Sequence, residues 1–377
     1  MNILMISLDK GIFREGSRSL ERLREYSIIA DKIFVVVWTR KKDQPISFND
    51  KLFVFPTNSC CRPTYYFDSL KIVRKILKQN KIDLISSQDP FEAGLAGWFI
   101  SWFYKITFQL QVHTDFLSPY FRKESLLNKI RVMLAKFLIP RANCLRVVSE
   151  RIRRSFLKEL VVGEREKVRP RIIVLPIFVN VKKIQEASVK TDLHKKYPQF
   201  DFIILMASRL TKEKNIGLAI ESMAEITKKY PKTGLIVAGE GPEKENLKSQ
   251  ISNLKINENI KIEEWTNDLI SYYKTADLFL LTSNYEGYGM AVVEAMAAGC
   301  SVIMTDVGLA GEVLIDKKDG IVVPVGNKEE LIESILNLIE NPDLRAELIK
   351  NASKTLDFWP SREKYLMAYR DSWLLCK

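Results

Sequence analysis

The chain has 377 residues, of which 46% are hydrophobic and 28% are charged, as in ordinary globular proteins. This length allows two domains with cores of their own, and the composition argues against intrinsic disorder. The net charge is +12 and is unevenly distributed. Residues 1–190 contain 35 Lys and Arg against 18 Asp and Glu, a net charge of +17, whereas the remainder has a net charge of −5.

A basic first half indicates an anionic partner for that part of the chain. The favoured partner is an anionic membrane surface or a phosphorylated lipid. A Lys-rich surface that only keeps the protein in solution remains an alternative. Nucleic acid is not expected, because the usual aromatic and basic motifs of nucleic-acid-binding domains are missing.

The cysteines and histidines do not indicate a metal site. There is no Cys-x-x-Cys pair, and His113 and His194 are the two histidines of the chain. The cysteine count is odd and shows no framework spacing, which suits a reducing compartment. The N-terminus lacks a basic region and a cleavage site, so we expect a cytoplasmic protein that is not secreted. The cysteines are Cys60, Cys61, Cys144, Cys300 and Cys376.

Short apolar runs typical of buried strands alternate with helical patterns along the chain. In the first half these runs are at 2–8, 32–38, 52–55, 82–86, 106–112, 144–148 and 172–175. The pattern restarts after residue 180, with runs at 202–206, 235–238, 260–263, 278–282, 302–305 and 321–323. This alternation predicts an α/β protein with two doubly wound, Rossmann-like domains, residues 1–178 and 179–360. The last segment, 361–377, is predicted to be an amphipathic helix.

Two segments raise the question of membrane contact. Residues 93–112 are strongly apolar, but Lys105 interrupts them, and polar residues alternate with apolar ones from 108 to 112. A buried helix followed by a strand therefore explains this segment better than a membrane span. Residues 121–139 place cations between apolar residues at helical spacing, which fits either a membrane-surface helix or an internal packed helix.

The segment from Ser283 to Gly299 carries the clearest functional pattern. It follows an apolar strand and places Glu286 and Glu294 eight residues apart around a Gly-Tyr-Gly turn. We expect a strand, a loop and a short helix, because the glycines allow a tight turn and Gly299 can end the helix. Free backbone N–H groups at the helix start attract anions, and the glutamates can hold hydroxyl groups. The implied ligand combines phosphate with sugar hydroxyls.

This Glu-x7-Glu pattern with its internal Gly-aromatic-Gly resembles the retaining family-4 glycosyltransferases. The resemblance extends to residues 111–115, 207–215, 238–242, 265–268 and 272–277 and so covers most of the chain. It implies the GT-B fold, in which two Rossmann-like domains face each other across a cleft. In that fold the first domain holds the acceptor, the second holds the nucleotide sugar, and the last helix, here 361–377, packs back on the first domain.

The resemblance assigns roles in the second domain. Arg209 and Lys214, a planar fork and a point charge in the loop after a strand, would bind the diphosphate; solvated loop cations are the alternative. Glu286 would contact the donor sugar near its reacting carbon, and Glu294 would hold the ribose. A loop carboxylate and a helix salt bridge are the structural alternatives for these two glutamates. The further donor-binding residues are Gly287, Tyr288, Gly289 and Met290 through their backbone, and Glu240 and Trp265 near the base. For Glu240 and Trp265 the alternative is that they only shape the pocket.

In the first domain, His113 matches the family histidine near the donor's reacting centre, although a lone histidine at a strand end is often structural. Asp115 is a candidate for the acceptor hydroxyl, with helix capping as its alternative. The first turn lacks the adjacent Gly-Gly of many relatives. Gly16 remains there as the glycine that would let backbone N–H groups approach the donor phosphate or the acceptor.

The expected function is retaining transfer of a sugar from a UDP- or GDP-sugar to a hydroxyl of a lipid-linked, glycan or small-molecule acceptor, in surface-polysaccharide or glycolipid assembly. No Asp-x-Asp motif is present, so no metal or other cofactor is expected to be required. A non-catalytic sugar-nucleotide-binding protein and a sugar-nucleotide epimerase of the same fold are the alternatives. The expected location is the cytoplasm, with attachment to the cytoplasmic membrane face.

Overall fold

The computed structural model describes residues 1–40, 42–161 and 170–376. The chain forms two compact units, one comprising residues 1–176 with 361–377 and the other comprising residues 177–360. Each unit contains a largely parallel sheet with helices on its faces. Lys377, the last residue of the segment predicted as the final helix, lies outside the described residues.

The first unit is built on an eight-stranded sheet in the order β3-β4-β2-β1-β5-β6-β7-β8. All neighbouring strands are parallel except β3 and β4. The elements are β1 (Asn2–Ser7), α1 (Arg18–Tyr26), β2 (Lys32–Val37), β3 (Ile46–Phe48), β4 (Leu52–Pro56), α2 (Thr64–Gln79), β5 (Leu84–Ser87), α3 (Glu92–Tyr104), β6 (Thr107–Val112), α4 (Pro119–Glu124), α5 (Leu126–Leu138), β7 (Cys144–Val147), α6 (Glu150–Val161) and β8 (Arg171–Val174).

The second unit is built on a six-stranded parallel sheet in the order β11-β10-β9-β12-β13-β14. Its core consists of side chains from the strands and from the covering helices. The elements are α7 (Val181–Glu186), α8 (Leu193–Lys196), β9 (Phe202–Ala207), α9 (Ile216–Lys229), β10 (Thr233–Ala238), α10 (Lys244–Asn253), β11 (Ile260–Glu263), α11 (Leu269–Thr275), β12 (Leu278–Leu281), α12 (Met290–Ala297), β13 (Ser301–Thr305), β14 (Ile321–Val323), α13 (Lys328–Glu340) and α14 (Pro342–Leu356).

The strand order reverses once within each sheet. In the first unit the reversal lies between β1 and β5, and in the second it lies between β9 and β12. Ligands of open α/β sheets bind beyond the carboxyl ends of the strands at such a reversal, because the neighbouring loops turn away from each other and leave a crevice. The loops after β1, β5, β9 and β12 are therefore the places where a site is expected.

The thirteen predicted strands are all present, with bounds within two residues of the expected ones. The sequence analysis missed β3, a three-residue edge strand whose side chains are only partly buried, so that no continuous apolar run marks it. The segment 93–112 forms α3 and β6, as predicted, and Lys105 between them ends the helix at a positive φ of 53°. Within the described ranges, no helix has the length and apolar character that crossing a membrane requires.

The segment 121–139 is divided between two helices rather than forming one. Ser125 ends α4 and begins α5, and its side chain accepts a hydrogen bond from the backbone N–H of Asn128 at 3.1 Å. The serine supplies an acceptor for an N–H group that has no partner within the helix, which favours a new helix start at that residue.

The final helix, α15 (Arg362–Leu374), belongs to the first unit. Tyr369 stacks on Tyr26 of α1 with ring centroids 3.9 Å apart, and the fully buried Trp373 contacts both rings. Cys376 forms a disulfide with Cys144 of β7, across 232 residues of sequence. Spacing along the chain could not indicate this bridge, because it depends on where α15 packs.

The buried ring of Trp373 predicts a measurable contribution to stability. Trp373→Ala should lower the free energy of unfolding of the first unit by about 3–5 kcal/mol, because it removes a large side chain from a closed aromatic cluster. Met367→Ala is the matched control, since Met367 lies on the same helix and is 65% exposed. Urea unfolding followed by tryptophan fluorescence and circular dichroism measures both. Equally small decreases in the free energy of unfolding for the two variants would contradict the packing of α15.

Candidate active site

The loops after β9 and β12 are joined by hydrogen bonds at the strand-order reversal of the second unit. The hydroxyl of Thr282, at the end of β12, donates to the carbonyl oxygens of Lys214 and Asn215 at 2.9 and 3.0 Å. The backbone N–H of Asn284 donates to the carbonyl oxygen of Glu213 at 2.8 Å. The two loops therefore hold their side chains in a fixed relation to each other.

Lys214 and Glu286 form an ion pair between these loops. The distance from Lys214 Nζ to Glu286 Oε1 is 2.5 Å, and the side chains are only 15% and 13% exposed. Ser283 Oγ donates to the same carboxylate oxygen at 2.8 Å. The sequence analysis gave these two residues separate tasks, and the structure brings them together. An ammonium is a point charge that can exchange one anionic partner for another, so a phosphate could replace this carboxylate.

Arg209 lies on the same loop as Lys214 but has a different partner. Its guanidinium is exposed, and the distance from Arg209 Nη2 to Glu213 Oε1 is 2.5 Å. The two predicted phosphate-binding cations thus share a loop, and each is paired with a carboxylate. An incoming diphosphate would compete with those carboxylates for the two cations.

Two glycines hold the Arg209 loop against the turn after β10. A Cβ added at Gly239 would lie 1.9 Å from the carbonyl oxygen of Ser208, and one added at Gly241 would lie 2.3 Å from that of Leu210. Larger residues cannot take these places without moving the loop. Glu240 between them is exposed, and Trp265, two residues after β11, is partly exposed. Both therefore follow strands on one side of the reversal.

The start of α12 has the form that the sequence predicted. Gly289 is its N-cap at a positive φ of 98°, whereas Gly287 does not take a positive φ. No side chain caps the first turn, which begins at Met290, and the first N–H groups of an uncapped helix are donors that can bind an anion. Tyr288 is buried, consistent with a packing role for its side chain.

Glu294 lies within α12 and is buried. The hydroxyl of Tyr273 donates to its Oε2 atom at 3.3 Å. The sequence analysis did not find Tyr273 as a partner, because α11 and α12 are separate in sequence and their contact depends on the fold.

The loop after β13 supports the Glu286 turn, and the sequence analysis did not identify it. The N–H of Leu309 donates to the carbonyl oxygen of Tyr288 at 2.9 Å. A Cβ at Gly308 would lie 2.3 Å from that same oxygen, and Gly308 has a positive φ of 54°. A glycine three residues after a buried strand was the available signal.

In the first unit, His113 follows β6 and its ring nitrogen Nε2 lies 3.0 Å from Gln111 Oε1. The same oxygen accepts a hydrogen bond from Arg146 Nη1 at 2.8 Å. Arg146 is buried, its guanidinium carbon lies 4.5 Å from the centre of the Tyr369 ring, and Nη2 donates to the carbonyl oxygen of Leu175 at 3.2 Å. Gln111 thus connects the His113 ring to a buried cation, Arg146.

This arrangement fixes the tautomer of the neutral His113 ring. An arginine only donates, so the Gln111 atom that faces Arg146 must be the amide oxygen. An oxygen only accepts, so His113 Nε2 carries the hydrogen and Nδ1 is left as an acceptor. Burial, with the charges of Arg146 and Arg22, lowers the pKa of His113 to about 3. Sequence analysis identified His113 but not Gln111 or Arg146 as its partners.

The remaining first-unit candidates lie on neighbouring loops. Gly16 precedes α1 at a positive φ of 73°. The backbone N–H of Ser118 donates to the carbonyl oxygen of Asp115 at 3.3 Å, and Ser118, not Asp115, is the N-cap of α4. Burial raises the pKa of Asp115.

Asp89 is a candidate that the sequence analysis missed. It follows β5 at the strand-order reversal of the first unit, and its Oδ1 atom accepts from the N–H of Phe91 at 2.8 Å. Burial raises its pKa to about 6, although the bond from Phe91 acts in the opposite direction. A polar run directly after a buried strand was the signal that could have found it.

Over the residues that the structure describes, no three His, Cys, Asp or Glu side chains are grouped so that they could hold a metal ion. The cations and the helix start of the second unit are the groups there that can neutralise a phosphate. Metal independence stays a prediction.

Comparison with known proteins gives matches over most of the chain. The family described as Glycosyltransferase Family 4 matches residues 27–181, and the family described as Glycosyl transferases group 1 matches residues 189–355. Alpha-monoglucosyldiacylglycerol synthase of Acholeplasma laidlawii is 24% identical over 301 residues, which are 75% of this chain and 72% of that protein.

Solved structures share the fold. Sucrose-phosphate synthase of Thermosynechococcus elongatus superposes with a TM-score of 0.82 at 17% identity, over 100% of this chain and 99% of that one. HepE of Anabaena in complex with UDP-glucose gives a TM-score of 0.74 at 21% identity, over 99% and 98% of the two chains. At these identities the likeness establishes the fold alone.

The His113 environment predicts a histidine that stays neutral at physiological pH. In a His194→Gln background one imidazole remains, so its NMR signals can be followed directly. We expect no titration between about pH 5 and about pH 8. Because the unfolded chain protonates this ring below about pH 6.5 and the folded protein does so only near its lowered pKa, the ring should reduce stability as the pH falls through that interval.

The comparison variant is Gln111→Glu. A carboxylate beside the ring should raise the pKa of His113 and bring its titration into the observed range. A midpoint near about 6.5 in the parent protein would contradict the described environment.

Proposed function

We propose that this protein, which belongs to the family-4 glycosyltransferases and has their GT-B fold, moves a sugar from a UDP-sugar to a hydroxyl of a lipid-borne acceptor with retention of configuration. The observation that carries the proposal is the Lys214–Glu286 pair at the strand-order reversal of the second unit. It places a shielded cation and a carboxylate side by side, as transfer from a sugar diphosphate requires.

Two relatives support the choice of substrates. HepE of Anabaena was solved with UDP-glucose, which favours uridine over guanosine as the donor's base. The related synthase of Acholeplasma laidlawii is named for a glucosylated diacylglycerol, a glycolipid. We therefore assign the chain to glycolipid or surface-polysaccharide assembly at the cytoplasmic membrane face.

The second unit would bind the donor. Lys214 and Arg209 would leave their carboxylate partners and contact the diphosphate, together with the first N–H groups of α12. Glu286, released from Lys214, would contact the sugar, and Glu294 would hold the ribose. Glu240 and Trp265 would flank the base.

The first unit would supply groups for the acceptor and the reacting carbon. Neutral His113 would present Nδ1 as a hydrogen-bond acceptor, and Asp115 and Asp89 are the carboxyl groups available to an incoming hydroxyl. Gly16 would expose backbone N–H groups at the start of α1.

The reaction exchanges one bond at the sugar's anomeric carbon for another. The bond to the diphosphate oxygen breaks, the bond to the acceptor oxygen forms on the same face, and the leaving diphosphate takes the hydroxyl proton. Lys214 would stabilise the charge that develops on the leaving oxygen. An epimerase or a pure binding protein would produce no glycosylated acceptor, so product analysis distinguishes these alternatives.

The donor assignment predicts a selective thermal shift. UDP at about a hundred times its dissociation constant should stabilise the protein by roughly 2.7 kcal/mol, whereas GDP and ADP at the same concentration should do less. Differential scanning fluorimetry with the three nucleotides measures this. A larger shift with GDP would overturn the choice of base, and no shift with any nucleotide would contradict the donor site.

The phosphate assignment predicts a loss of turnover in one lysine variant. Lys214→Ala should lower kcat/KM by about a hundredfold to a thousandfold, because transition-state charge loses a donor in a shielded site. Lys212→Ala is the matched control, since Lys212 lies in the same loop and is exposed. Release of UDP from UDP-glucose in the presence of diacylglycerol vesicles measures both. Equal turnover in the two variants would refute the role of Lys214.

A further inference from the structure

The outer surface of α3 exposes aromatic side chains, although the helix itself packs tightly. Its inner face consists of four small residues and one isoleucine: Ala93, Gly94, Ala96, Gly97 and Ile100. A Cβ added at Gly94 would lie 2.8 Å from the carbonyl oxygen of Asp89, and one at Gly97 would lie 2.0 Å from Ser87 Oγ. On the outer face, Trp102 is 64% exposed and Phe103 is 58% exposed. Small residues inside and aromatic residues outside reverse the usual distribution on a surface helix.

The helix α5 adds a second row of exposed apolar residues. Val132, Ala135 and Leu138 face the core of the first unit, so the inner side of α5 is packed normally. Apolar residues also recur at helical spacing on its outer side, where they are exposed. We define the apolar face as the exposed side chains of both helices: Phe99, Trp102, Phe103, Leu126, Leu127, Ile130, Met133 and Phe137.

These two rows form one continuous surface. Glu92 of α3 pairs with Arg131 of α5 at 2.8 Å, and six residues further along both helices Trp98 contacts Phe137 with ring centroids 5.3 Å apart. The helices therefore lie side by side and run in the same direction. Beside Phe99, an apolar groove of about 310 Å³ continues the surface between α3 and α2. Contiguous apolar surface of this kind marks an interaction site.

Cations surround and interrupt the apolar face. Residues 119–141 contain six Lys and Arg and one carboxylate, Glu124, and one of the six, Arg131, pairs with Glu92 of α3. The Arg141 guanidinium lies 3.7 Å from the centre of the Phe137 ring, so a positive charge borders an apolar side chain directly. Exposed aromatic and aliphatic residues with lysines and arginines between them match the boundary between lipid headgroups and acyl chains.

We propose that the apolar face docks on an anionic lipid bilayer, with its aromatic and aliphatic side chains in the headgroup–acyl boundary and its cations on lipid phosphates. Charge complementarity selects this occupant. A second copy of the chain would bring the same cations against each other, whereas anionic lipid neutralises them. The docking does not depend on donor binding or on catalysis, so it stands apart from the proposed glycosyl transfer.

The test is co-sedimentation of the full chain with two kinds of vesicle. One is phosphatidylcholine alone, and in the other about a third of the lipid is phosphatidylglycerol, which supplies the negative surface. We expect strong binding to the anionic vesicles, reduced by high salt, and weak binding to the neutral ones. The double variant Trp102→Ser/Met133→Ser should bind the anionic vesicles roughly tenfold less tightly or weaker, because two exposed apolar anchors are lost.

Two further variants separate the contributions. Lys129→Ser/Lys136→Ser should bind the anionic vesicles more weakly than the parent, and its binding should change little at high salt. Met367→Ser, an exposed methionine on α15, should bind like the parent protein. The far-UV circular dichroism spectrum of every variant should equal that of the parent, which shows that folding is intact.

Equal sedimentation of parent and Trp102→Ser/Met133→Ser would show that the apolar face does not dock on lipid. A concentration-dependent dimer in size-exclusion chromatography that this variant abolishes would assign the face to a second copy instead. If the protein binds vesicles but does not release UDP from UDP-glucose, the result would contradict the proposed function and would not contradict the docking.

Discussion

A shielded ion pair, Lys214 with Glu286, joins the two loops to which we assign the chemistry of the second unit. Lys214 follows β9 and Glu286 follows β12, the two strands on either side of the strand-order reversal. Around the pair, Thr282, Asn284 and the close approach of Gly308 to Tyr288 hold both loops in place. A charged pair at this depth costs desolvation, which the attraction between the two charges has to offset. In our proposal, a phosphate of the donor takes the place of the carboxylate.

The first unit also contains a buried cation. None of the hydrogen bonds described for it goes to a carboxylate. Arg146 donates to Gln111 and to Leu175, and it lies over the Tyr369 ring. This connects the carboxyl end of β6 to α15, so the last helix of the chain helps to hold the environment of His113. The tautomer of that histidine follows from two facts of hydrogen bonding: arginine does not accept, and an amide oxygen does not donate.

Much of this could be predicted from the sequence, and the misses have physical causes. Continuous apolar runs located thirteen strands because parallel strands are buried on both faces. The short, half-exposed β3 lacks that signal. Glu286 and Lys214 were found individually, each in a motif after a strand, but their contact depends on which strands are neighbours in the sheet. The same holds for Tyr273 with Glu294 and for Cys144 with Cys376.

Side-chain exposure is the property that periodicity could not resolve. The segment 121–139 has an apolar pattern that fits a packed helix and a membrane-surface helix equally. The structure shows that one apolar side of α5 is buried and that the other is exposed. For α3, hydropathy alone suggested a buried helix. In the structure, the glycines on its inner face leave no room for larger side chains, so the aromatic residues lie on the outer face.

The measurement that tests the central claim most directly is calorimetric titration of UDP into the parent protein, Glu286→Gln and Lys214→Ala. If Lys214 exchanges Glu286 for phosphate, removing the competing carboxylate charge should tighten UDP binding by roughly tenfold, while Lys214→Ala should weaken it by a similar factor. Glu286→Gln should tighten binding even though it lowers turnover. Unchanged UDP affinity in both variants would show that the ion pair lies outside the donor site and would contradict the account.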